Sequence, residues 1–369
     1  MAFLRVSACG ARPRPAAPPF VIAGRGAHHA PVDALLRLLC AWLRGDPLPP
    51  ETSAGAVTAA LGHRLAGTLY HIGAPLREPD RNQFERIWAA QLAAHLSRAE
   101  TVRRVWPSHL PPPMIFKGAD LAEHLFDDPG ARQALDVDLL LPAPAFHAAH
   151  RALAAHADEV RRPRAERHPW ESPHALGYVF DGSLIELHRD PVPPHRLRLD
   201  GVDLYARSRP GRLGEMAVRV PTPRDRVLLW LANLAKGAFF GDVADLLDGA
   251  ILLRALGPDP TLGPALSRAG LGTAWAVARH RLAAVGFGPP PPHAGPELRW
   301  LLRALPPATS PRIEPPRARF QLIKWWLTAP DARLRAVARA ATGVASAPLG
   351  RTRPARQSQD SGTKTMSPG

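Results

Sequence analysis

The chain has 369 residues, 46% of them hydrophobic, enough for two or three packed units, with 43 prolines and 29 glycines interrupting it often. A formal net charge of +15 raises the question of a nucleic-acid partner, but all except four of the 47 basic residues are arginine. They are scattered instead of gathered in a stripe, so GC-rich coding bias fits better, and a nucleic-acid surface is possible but not favoured beside an anionic substrate. No run approaches the roughly 18 apolar residues of a membrane span. The start, MAFLRVSACG, is too short in apolar residues for a signal peptide. Cys9 and Cys40 give neither a disulfide framework nor a metal-ligand spacing. A cytoplasmic location is the expectation.

Residues 1–29 are rich in Pro, Gly and Arg, lack periodicity, and are expected to be disordered. Residues 30–106 read as an N-terminal helical region. Apolar residues recur at three and four from Pro31 to Gly45, a second helical stretch covers about 54–71, and a long third covers about 81–106. Composition shifts at the prolines 111–113, and residues 107–220 read as an α/β core. A short apolar strand, Met114–Phe116, leads into a helix near Gly118; a strand follows over Leu135–Leu141, then a helix over about 144–156. After an irregular stretch at 161–175, LGYVFDGSLIELH reads as a hairpin, with Asp181-Gly182 suited to a type I′ turn. Residues 221–345 are helical again, ending in a basic amphipathic stretch at 317–342. Residues 346–369 form a polar tail expected to be disordered. The fold class is therefore α+β, a small mixed sheet flanked by helical regions.

The strand at Leu135–Leu141 carries Asp136 and Asp138 two residues apart, so both carboxylates share one face, away from Leu135, Val137 and Leu139. Like charges held side by side call for a cation. In SLIELH, Glu186 lies on the same face as Leu184 and His188. If the two strands are neighbours in register, Asp136, Asp138 and Glu186 form an oxygen cage for hard divalent cations, magnesium above all. A pair of such ions activates an attacking hydroxyl and stabilises the leaving oxygen in a phosphoryl displacement. Lys117-Gly118 falls where a strand ends and a helix begins, a place suited to phosphate. Arg132 is a second candidate for a triphosphate, or a partner of Asp136, Asp127 or Asp128.

Lys117-Gly118, Arg132-x-x-x-Asp136-x-Asp138-Leu139-Leu140 and Ile185-Glu186-Leu187-His188 together resemble the uncharacterised nucleotidyltransferase branch of the DNA polymerase β-like superfamily. The likeness covers about 114–250, with LLDGAILLRAL at 246–256 matching a downstream helix typical of the branch, and abortive-infection nucleotidyltransferase toxins share a related KG…DxD layout. The resemblance implies transfer of a nucleoside monophosphate from a nucleoside triphosphate, ATP first, to an acceptor hydroxyl, with two magnesium ions and release of pyrophosphate. Asp136 and Asp138 would hold both ions, Glu186 would bind one and help deprotonate the acceptor, and Lys117, Gly118 and Arg132 would hold the triphosphate. Where the branch usually carries a histidine, this chain reads LANLAKGAFFGD, with Asn233 and Lys236, so no nucleotide contact carries over to that helix.

Three functions remain open: tailoring of a small molecule, sugar or peptide; a toxin-like action on tRNA or protein; and a catalytically silent nucleotide-binding module. His188 reads as a hydrogen-bonded structural histidine, His168 and His174 as surface residues, and Asp245 and Asp248 as helix-surface charges. Trp325-Trp326 read as part of a C-terminal helix packed on the core.

Overall fold

The computed structural model describes residues 30–161, 174–192, 197–239, 241–289, 291, 294–307, 309, 320, 323–324 and 327. The expected disordered ends at 1–29 and 346–369, His168 and Trp325-Trp326 lie outside them.

Seven strands form one mixed sheet: β1 (Met114–Phe116), β2 (Asp136–Leu140), β3 (Glu159–Arg161), β4 (Ala175–Phe180), β5 (Ser183–His188), β6 (Arg209–Leu213) and β7 (Met216–Val220), in the order β3-β4-β5-β2-β1-β7-β6. β2 runs antiparallel to β1 and parallel to β5. The β4–β5 turn has positive φ at both Asp181 and Gly182, the backbone that a two-residue type I′ connection demands. This confirms the α+β class.

Side-chain alternation divides the sheet into two faces. Ile115, Val137, Leu139, Leu176, Tyr178, Ile185 and Leu187 pack against α6 (Ala143–Ala154) through Phe146, Ala149 and Leu153. Met114, Phe116 and Leu140 point the other way, into a larger apolar cluster. That cluster draws on α1 (Ala30–Arg44), α2 (Ala54–Gly62) and α3 (Ala66–His71), and equally on α8 (Pro223–Lys236), α9 (Val243–Leu256), α10 (Leu262–Arg268) and α11 (Gly272–Ala284). Helices at the two ends of the sequence thus share one interior. Arg64 fastens them, its Nε donating to Asp242 at 2.6 Å ahead of α9. Ile323 and Leu327, four residues apart, are both fully buried in the same cluster.

The second helical stretch is broken where the sequence pattern ran on. Arg64 takes a positive φ of 61° between α2 and α3, which reverses the chain before Leu65 can enter the core. The long α4 (Glu78–Val105) spans both clusters, giving Phe84 to one and Ala99 and Val102 to the other. No helix among the described residues is long and apolar enough to cross a membrane.

Candidate active site

β2 and β5 pair in parallel with Asp138 opposite Glu186 and Asp136 opposite Leu184. The acids therefore project from neighbouring strands on one face, the face that bears Phe116. β1 ends beside them, since Phe116 is the partner of Asp138. The chain then turns through Lys117, whose φ of 57° and ψ of −127° place a lysine where backbone strain costs on the order of 1–3 kcal/mol. Gly118 opens α5 (Gly118–His124); a Cβ there would press on Ala134 at 3.2 Å and on the Arg132 guanidinium at 3.3 Å.

The strained turn throws the Lys117 ammonium over the acids. Nζ donates to Asp138 Oδ1 at 2.5 Å and lies 4.9 Å from the Phe116 ring centre. His188 Nε2 donates to the same oxygen at 2.8 Å and lies 3.3 Å from Glu186 Oε2. Since a carboxylate only accepts, the proton sits on Nε2. The opposite ring atom, Nδ1, is buried without a hydrogen-bond partner among the described residues. Phe116 meets the His188 ring edge-on, with centres 5.0 Å apart.

Charge is unevenly shared here. Burial would raise the Asp138 carboxyl, but Lys117 and His188 hold it well below the usual carboxylate range. The His188 hydrogen bond likewise holds Glu186 down. Asp136 has no such partner; burial, with Asp138 and Glu186 as like-charged neighbours, pushes it up to about 6. Such crowding marks a site that lacks positive charge.

The donor set fits a divalent cation. One ligand atom each from Asp138, Glu186 and His188 lies within 4.8 Å of the others, and Asp136 stands two residues away on the same face. The Lys117 ammonium stands in for the cation against Asp138. His188, read from the sequence as structural, is thus hydrogen-bonded as expected yet also sits among the candidate ligands.

Arg132 lies elsewhere. Its Nε and Nη2 grip both oxygens of Asp248 on α9, with contacts of 2.7–3.1 Å, while Nη1 donates to the Gly118 and Gln133 carbonyls at 3.2 Å. Asp248 is buried, which corrects its reading as a surface charge; Asp245 is half-buried and caps α9 in a reciprocal box with Asp242. His174 is also buried, not on the surface, and its ring centre lies 6.3 Å from that of His188. Burial, then His188, Lys236 and Lys117, lower its pKa to about 3, so it is neutral. Lys236, at the C-terminal end of α8, lines a cleft with Lys117 and Phe116. The sequence placed it in the helix where the branch usually carries a histidine, without giving it a nucleotide contact.

No curated protein matches the chain in sequence. A family model described as an uncharacterised nucleotidyltransferase matches residues 56–276, which covers the whole sheet and the helices that carry Lys236 and Asp248. With its carboxylates aligned across β2 and β5 beside the Lys117 turn, the chain belongs to this nucleotidyltransferase family.

Proposed function

We propose that the protein moves a nucleoside monophosphate from a nucleoside triphosphate, ATP first, to a hydroxyl of a small molecule, sugar or peptide. The observation that carries this is the in-register pairing of Asp138 with Glu186 beneath the Lys117 ammonium. Asp136, Asp138 and Glu186, with His188 alongside, would hold the magnesium ions. Bound there, the metal supplies positive charge that acidifies the acceptor hydroxyl and stabilises the leaving oxygen. Lys117, released from Asp138, binds the triphosphate together with the Gly118 backbone. Glu186, the most open of the grouped ligands with a third of its side chain exposed, takes the acceptor proton. The acceptor oxygen bonds to the α-phosphorus, the bond from that phosphorus to the β-bridging oxygen breaks, and pyrophosphate leaves with the electron pair. Arg132 enters as the brace beneath the turn: it ties the Gly118 carbonyl to α9.

The test is incubation with each α-labelled nucleoside triphosphate, magnesium and cell extract, comparing the wild type with Asp138→Asn. Label in the small-molecule fraction, lost in the variant, is expected. Label in RNA or protein would move the acceptor to a macromolecule. Equal labelling by both proteins would overturn the site.

A further inference from the structure

We propose that Lys236, with Asn233 one turn before it on α8, forms the second arm of a polyphosphate subsite, so that the nucleotide's phosphates are gripped from two sides. This rests on the nucleotidyl-transfer reading above for the identity of the nucleotide, but not for the anion site itself.

Leu229, Ala232, Asn233 and Lys236 recur at three and four along α8 and face one cleft, whose other wall is Phe116 and Lys117 at the end of β1. The chain has only four lysines among 47 basic residues, and two of them meet in this cleft. A lysine differs from the arginines used elsewhere in being a compact point charge that suits a phosphate oxygen without fork geometry.

The Lys236 ammonium has no hydrogen-bond or ion-pair partner among the described residues. Nearby acids do not satisfy it: repulsion from Lys117 and then burial outweigh the attraction of Asp138, Glu186 and Asp136, and its pKa falls below the ordinary lysine value. Two ammoniums share the cleft, and with Asp138 already taken by the first, the second is left there without a counter-charge in contact. A multiply charged anion supplies that contact, offering separate oxygens to the two arms. His174, kept neutral, adds no third charge.

The scarcity of lysine makes the test direct. Wild-type protein is acylated at lysine with and without inorganic tripolyphosphate in metal-free buffer, and modification at each position is read by mass spectrometry. Lys117 and Lys236 should both be protected, by about tenfold or more, as a charge-assisted contact of roughly 1.5–3 kcal/mol predicts, with Lys364 as the internal reference. Protection of Lys117 alone, or of neither, overturns the proposal. In parallel, Lys236→Met should weaken tripolyphosphate about tenfold by calorimetry and Lys236→Arg should retain most of the affinity; equal losses in both would assign Lys236 to packing instead. If both lysines are protected but no labelled nucleotide is ever transferred, the reaction falls and the polyphosphate subsite stands.

Discussion

Replacing Asp248 by asparagine keeps volume and removes one charge from beneath the site. Its carboxylate is 5% exposed and takes three contacts of 2.7–3.1 Å from Arg132, itself 18% exposed. Breaking a buried pair from one side leaves the other charge uncompensated, at a cost of about 3–5 kcal/mol. Burial here is nearly complete for the acid but not for the guanidinium, so the lower half of that range is expected. The double replacement Arg132→Met with Asp248→Leu removes both charges and should recover most of the loss, ending within about 1–2 kcal/mol of the wild type. Urea unfolding followed by tryptophan fluorescence and circular dichroism gives the values, provided the m-value is unchanged. A loss under about 1 kcal/mol for Asp248→Asn would refute the brace. So would a double variant as unstable as the sum of the single changes.

Gly249 on α9 lies under Trp230 of α8, where a Cβ would fall 2.0 Å from the indole. Gly249→Ala should therefore destabilise by about 1–3 kcal/mol despite alanine's better helix propensity, with a shift in tryptophan emission as readout; a more stable protein would contradict this packing. The Asp245 carboxyl is pushed up to about 6, chiefly by burial and then by Asp242 and Asp248. An acid that holds its proton more tightly when folded contributes stability below about pH 4, which is lost as pH rises to about 6. Two pH units bound the effect at about 3 kcal/mol, so Asp245→Asn should flatten the stability profile across that window, and an unchanged slope would rule the shift out. Magnesium should raise the melting temperature of the wild type by a few degrees and chelation should reverse this, as for any ligand of the folded state alone. Glu186→Gln and Asp138→Asn should each abolish that response; a response kept by both would place the metal elsewhere.

Local pattern revealed much of this in the sequence. β1, β2 and the β4–β5 hairpin follow from alternation and from the Asp181-Gly182 pair, and the acids stood out because charge is costly on apolar strands. Their partnership did not follow, because strand adjacency depends on pairings between residues about 50 apart, such as Asp138 with Glu186. Arg132 and Asp248 lie 116 residues apart, and only tertiary packing reveals that each satisfies the other. Lys236 was obscured for a similar reason: a single basic residue closing an apolar helix looks like an ordinary favourable contact with the helix dipole. The break at Arg64 escaped notice because nothing marks arginine as a residue that enters the left-handed region.

The ladder between β2 and β5 sets the spacing of the acids independently of whatever joins the two strands in sequence. Hydrogen bonds between neighbouring strands hold Asp138 opposite Glu186, so any change that leaves the ladder intact leaves the spacing of the two carboxylates intact as well.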